Sequence, residues 1–436
     1  MNLKHIFSAT LVMLIFLSCS SENESNNEIP EEQINEETEE TQEPNPTEQI
    51  VYFTYQNYGS GGLENWIIIH DENGTLIDFK QTDNQFSVDF EIDEESLPNK
   101  INVTQLSYSS DPEGNNLYHM LETYTDLEVG SIWEARNNSF DGNLIGSFNF
   151  QVDNISGAEN VLITTPSGIL RTGPASDEEL NGTTLRLTDI PLYEDQEYMV
   201  SLRDDNDSTK YYLITPENGA DYVYDFTNFQ EFDDPFELEL PSNYFMLLFT
   251  GGFKENDTNT HWGEGYKFTE YIGFEGGIYN LGYNDGYQRY RFGLTLTLED
   301  FTYSLQSIGS KIKELTIPDK PFFTLEDPNI YDLKFSFDLN TVTKNTRHES
   351  IVVDGQGRYL NTTWLVYSTG TKNQKIGRLP DELIEKYPEM NVDALELKAI
   401  RLFTQSYEQQ ALFEAETSKY RTGDHTSESF TFRNFQ

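Results

Sequence analysis

Carboxylates are the reactive side chains this sequence holds in abundance: 75 Asp and Glu stand against 28 Lys and Arg, six His and one Cys. Two carboxylates at a defined separation suffice for glycoside cleavage, so a glycan-degrading hydrolase or lyase is one reading, although no spacing singles out a pair. Motifs for other chemistries are missing: there is no Gly-x-Ser-x-Gly elbow, no His-Glu-x-x-His and no Gly-x-x-x-x-Gly-Lys loop. His70, His119, His261, His348 and His425 are scattered without metal-ligand spacing, and no cofactor is expected. One loop, Asp204-Asp205-Asn206-Asp207-Ser208, concentrates hard oxygen ligands, and Asp71-Glu72-Asn73 is a weaker version. Such ligands suit calcium, with Asp204, Asp205 and Asp207 as the candidate metal residues. The same composition also builds Asx turns between strands.

Aromatic residues offer a binding chemistry. Trp262 sits in the polar, glycine-flanked run Asn259-Thr260-His261-Trp262-Gly263-Glu264-Gly265, and Tyr283, Tyr287 and Arg289 cluster around a hairpin tip nearby. Sugar rings present apolar C–H faces that stack on Trp and Tyr, while Arg, Asn and Asp bond their hydroxyls. These four residues form a candidate glycan platform. The competing reading is that the rings fill the core of a Tyr-rich β domain. Trp66, Trp133 and Trp364 lie inside strand-like runs and are expected in the core.

The elements that must position these residues read as strands. From Val51 onward, short β-branched and aromatic runs are divided by Asn, Asp and Gly turns. Asn73-Gly74 marks a hairpin, and Phe86, Val88, Phe90 and Ile92 alternate with Ser87, Asp89 and Glu91. The stretch Glu64-Asn65-Trp66-Ile67-Ile68-Ile69 with its turn is echoed 95 residues later by Glu159-Asn160-Val161-Leu162-Ile163-Thr164. That spacing is the size of an immunoglobulin-like sandwich. The expected fold is all-β: two tandem immunoglobulin-like β-sandwich domains, 49–142 and 143–236, followed by a larger antiparallel β domain, 237–436. Between Tyr244 and Tyr303 the last domain carries sixteen aromatics and ten glycines. Its one expected helix is Asp381 to Tyr387, bracketed by Pro380 and Pro388.

The N-terminus has a different character. Lys4 precedes the apolar run Ile6 to Leu17, too short for a membrane span, and Phe16-Leu17-Ser18-Cys19 ends it. Residues 1–18 with Cys19 resemble the type II signal peptide of bacterial lipoproteins, which implies that Cys19 is the lipidated first residue of the mature protein. With Cys19 lipidated, no thiol remains for a disulfide or a soft metal. Residues 19–48 read as an acidic, disordered tether: from Ser20 to Glu48 there are eleven Glu, no Lys or Arg, and only Ile29 and Ile34 as apolar residues. The early acids in Cys19-Ser20-Ser21-Glu22-Asn23-Glu24 are similar to the export signal of surface lipoproteins in Bacteroidota. The likeness implies an outer-membrane location facing the cell exterior, with membrane lipid as the first partner.

A net charge of −47 excludes nucleic acid as a partner, because phosphate backbones demand Lys and Arg clusters and none appears. The layout of anchor, spacer, tandem sandwiches and distal domain is similar to that of accessory lipoproteins in polysaccharide-uptake systems. The leading expectation is noncatalytic binding of an extracellular glycan. A structural or adhesive protein that binds other proteins, and a two-carboxylate hydrolase or lyase, are the alternatives. A flat surface without a groove would favour adhesion.

Overall fold

The computed structural model describes residues 49–433 apart from 59–63, 83–85, 112–115, 137–142, 195, 242–244, 255–264, 274–275, 340–342, 370–374 and 405–423. Almost every element in it is a strand. Alternation is the reason: in Ser87–Asp93, Val88 and Phe90 are buried while Ser87, Asp89 and Glu91 are exposed, so one face packs and the other stays wet. Asx turns join such strands. After Glu64–Asp71 the Asp71 carboxylate accepts the backbone N–H groups of Asn73 (2.9 Å) and Thr75 (2.7 Å). Gly74 takes φ 84° there, where a Cβ would clash.

Two sandwiches share one topology. In the first, Gln49–Tyr58 lies antiparallel to Ser87–Asp93 and parallel to Ser131–Arg136. Its facing strands run in the order Leu76–Gln81, Glu64–Asp71, Ile101–Ser110, Asn116–Leu127. In the second, Leu144–Asp153 lies antiparallel to Thr184–Tyr193 and parallel to Asp221–Asp225. Gly168–Arg171, Asn160–Thr165, Tyr198–Arg203 and Thr209–Ile214 face it in the matching order. The 95-residue echo is therefore an echo of strand order as well as of sequence. The second sandwich also ties its corner with Tyr198, whose hydroxyl donates to the Pro191 carbonyl (2.9 Å) and accepts from the Tyr193 N–H (2.8 Å). Immunoglobulin-like sandwiches use the same tie.

The third block is antiparallel throughout its main run: Tyr266–Gly273, Phe245–Phe253, Arg289–Thr297, Phe301–Gly309, His425–Arg433, Glu396–Phe403, Thr343–Val353, Tyr359–Thr369. The run does not end on itself. Tyr359–Thr369 pairs in parallel with Asn116–Leu127, so the facing strands of the first sandwich continue the same sheet to twelve strands. Trp364, fully buried, locks the junction by donating its indole N–H to Thr123 Oγ1 at 2.8 Å. Residues 64–127 therefore share one sheet with the block expected to be separate. The boundary expected at 236 falls inside the strand Asp234–Leu240, whose partner is Gly277–Tyr283.

One face of the large sheet is covered along its length. Leu248, Leu294, Tyr303, Phe430 and Leu402 pack there under the segment that carries Phe323, Leu325 and Phe335. Further along, Ile68, Leu106, Leu121 and Trp364 pack under the helix Asp381–Lys386 and the residues after it. The opposite face is covered only in part. The three-stranded sheet around Gln49–Tyr58 closes one stretch of it with Phe53, Phe90 and Trp133. The second sandwich docks beside Tyr266–Gly273 through Ser201 Oγ to the Phe268 carbonyl (2.6 Å) and Asn160 Nδ2 to the Glu270 carbonyl (2.9 Å).

Candidate functional site

The residues singled out by their chemistry mostly turn out to build the fold. Tyr283 has no exposed surface; its ring stacks on Phe236 at 5.3 Å, and its hydroxyl donates to the Ile312 carbonyl at 2.9 Å. Tyr287 is buried between Phe268 and Tyr266 at 4.9 and 5.4 Å. Burial pushes both phenols far up from the ordinary tyrosine range. A ring with no free face cannot stack on a sugar, which corrects the expectation of a platform at these two positions. Both belong to the apolar seam between the second sandwich and the third block. Arg289 is half-buried and pairs with Asp424 at 3.2 Å. Trp262 and Cys19 lie outside the described residues.

The acidic loop resolves into a turn. Asp204 Oδ1 accepts the N–H groups of Asn206 (3.0 Å) and Ser208 (2.9 Å), while Asp207 takes φ 58°. Asp207 points elsewhere, accepting from the Tyr271 hydroxyl (3.1 Å) and Asn280 Nδ2 (2.8 Å). Asp205 is exposed, and its backbone N–H bonds the Ser156 carbonyl at 2.8 Å. Among the described residues no three acidic, His or Cys side chains converge as metal ligands would. The calcium expectation at Asp204, Asp205 and Asp207 is corrected accordingly: backbone capping and side-chain hydrogen bonds disperse the oxygens.

One constellation has the residue types of an active site. Trp66 donates its indole N–H to the Tyr387 hydroxyl at 2.9 Å, Tyr387 donates to Glu64, and Lys386 pairs with Glu64 at 2.6 Å. Those bonds hold the Glu64 carboxyl below its usual range, Lys386 contributing most. His119, buried beside Tyr108 and Tyr387, has Nε2 3.7 Å from Glu389. Burial lowers its pKa, and Glu389 opposes that only in part. Every polar group in the Trp66–Tyr387–Glu64–Lys386 chain is spent on its neighbour. Chemically this chain bolts the short helix to the strand Glu64–Asp71.

A different surface has no such internal employment. Directly opposed residues in a ladder share a face. Ile351 opposes Asn361, which opposes Tyr118; Val353 opposes Tyr359, which opposes Asn116; Glu349 opposes Thr363, which opposes Met120. Tyr118, Met120, Ile351, Val353 and Tyr359 thus stand together on the incompletely covered face, 40, 45, 61, 56 and 55% exposed respectively. A few residues along the same two strands, Tyr124 stacks on Tyr367 at 4.6 Å inside the first sandwich. The patch begins where that cover stops. Its hairpin end is held firmly: Asp354 accepts the N–H groups of Gln356 (2.8 Å) and Arg358 (2.9 Å) and the Arg358 guanidinium (2.7 Å). These bonds, the Arg358 N–H first, keep the Asp354 carboxyl below the usual range. A sheet face of this kind offers area to another surface. Sequence reasoning passed it over, yet a signal existed. Ile351-Val352-Val353 are three aliphatic residues in a row, and a strand cannot turn all three to one core.

No known family's model matches the chain. No curated protein matches it either. Among solved structures, a Ca2+-stabilized adhesin that helps an Antarctic bacterium reach out and bind ice shares 9% identity over 88% of this chain and 99% of its own, with a TM-score of 0.12. The Bacillus anthracis TIE protein shares 11% identity over 90% of this chain and 73% of its own, with a TM-score of 0.15. A Salmonella alpha-2-macroglobulin mutant shares 9% identity over 85% of this chain and 28% of its own, with a TM-score of 0.12. Superpositions this loose carry no argument about what the chain does.

Proposed function

We propose that this is a noncatalytic surface protein of adhesive type, which docks onto another protein through the face that carries Tyr118, Met120, Ile351, Val353 and Tyr359. In this reading Cys19 holds it in the outer membrane by lipid, and residues 20–48 space the body from the membrane toward the exterior. The observation that carries the reading is the cluster of five large side chains left exposed on one ladder face beside a well-filled core. Contiguous exposed apolar area marks interaction sites, and Tyr and Met are enriched at them. Ile351 and Val353 supply aliphatic bulk that fits another apolar surface. The net charge of −47 repels acidic partners, so the complementary surface is apolar at its centre and neutral or basic at its rim.

A glycan ligand is the second reading, favoured by the rings of Tyr118 and Tyr359 standing next to the amides of Asn361 and Asn116 on the same face. Beads coated with the full chain distinguish the two on a panel of bacterial and animal cells. Protease treatment of the target cells is expected to abolish attachment, and periodate oxidation of their glycans is expected to leave it. The reverse pattern would establish the glycan reading in place of the protein one.

A further inference from the structure

Where the two halves of the covered core meet, a cleft opens on the strand pair Thr343–Val353 and Tyr359–Thr369. Lys344, Thr346 and Ser368 form its polar floor, Leu333, Phe335 and Ile376 wall it, and about 340 Å³ lies free of protein atoms, mouth included. Its base admits a group on the scale of a water molecule or a carboxylate. Lys344 is buried, opposes Ser368 in the ladder, and holds its ammonium 5.5 Å from the Phe335 ring centre. Asp126 is the acid whose charge acts on it, but burial prevails and draws the lysine down to about 8. An ammonium in such surroundings is costly, and an anion brought against it recovers part of the cost.

We propose that this cleft binds a short aliphatic carboxylate, its oxygens against the Lys344 ammonium and the Thr346 and Ser368 hydroxyls, its alkyl tail between Leu333, Phe335 and Ile376. The floor selects a single negative charge of carboxylate size, and the walls select an apolar tail over an inorganic ion. This site stands apart from the docking face and does not depend on it.

Titration calorimetry of the full chain with butyrate, butanamide and chloride tests the assignment. Butyrate is expected to bind saturably at pH 7 and about tenfold more weakly at pH 9, because the lysine loses its proton in between. Butanamide is expected not to bind, and chloride to bind at least tenfold more weakly than butyrate. Lys344→Met is expected to abolish binding, and Thr346→Val, which keeps the charge and the shape, to weaken it severalfold while the melting temperature holds. Butanamide or chloride binding as tightly as butyrate would overturn the proposal. So would the absence of butyrate binding, or binding indifferent to both substitutions.

Discussion

At the scale of single residues, buried titratable groups set how this protein answers pH. His348 is fully buried, and desolvation pulls its pKa to about 4, with the Pro328 carbonyl opposing weakly. An unfolded histidine titrates near 6.5. Above 6.5 neither state binds the proton and the full stability is present. As pH falls from 6.5 to 4 the unfolded chain takes up a proton the folded one refuses, and about 3 kcal/mol is lost. His70 and His119, also buried with lowered pKa values, act in the same direction. Urea unfolding of the full chain is therefore expected to weaken steadily from pH 7 to pH 5, and His348→Leu to remove close to one proton from that slope. Equal slopes for the two proteins would rule the assignment out. The sequence showed these histidines scattered and without a ligand set, and that reading stands among the described residues. Their burial was less legible, because it depends on which face of a strand a distant segment covers.

At the scale of elements, the helix Asp381–Lys386 is too short to persist by itself, and its side chains hold it in place. Pro380 and Pro388 bracketed it correctly in the sequence, because proline fixes where a helix starts and stops. What fastens it was not readable: Tyr387 reaches Trp66 and Glu64 more than 300 positions away in the chain. Tyr387→Phe deletes the acceptor of the indole N–H and a donor to Glu64, and loss of such partly buried bonds costs about 1–3 kcal/mol. The expected result is a lower urea midpoint together with faster amide exchange in residues 381–392. A variant with unchanged exchange there would contradict the role given to this bolt. The hairpin near Tyr283 and Tyr287 teaches the opposite lesson. Its glycines and aromatics looked like an exposed tip, yet a second domain packs over it, and no local pattern announces a neighbouring domain.

At the scale of the whole molecule, the all-β fold and the repeated sandwich followed from alternation, turn residues and a 95-residue echo. The twelve-stranded sheet did not. Its parallel junction joins residues 116–124 to 359–367, and two strands so far apart in the chain leave no mark in either sequence. That junction also creates the docking face, since Tyr118 and Met120 come from one side of it and Tyr359 from the other. Ile351 and Val353 come from the next strand. The central claim is that this composite face does the binding. Its most direct test is attachment of beads coated with the full chain or with the double variant Tyr118→Lys/Ile351→Lys, both positions being exposed enough to leave the fold intact. The account predicts that the double variant melts like the parent protein and loses attachment by an order of magnitude or more. A folded double variant that attaches as well as the parent would contradict it.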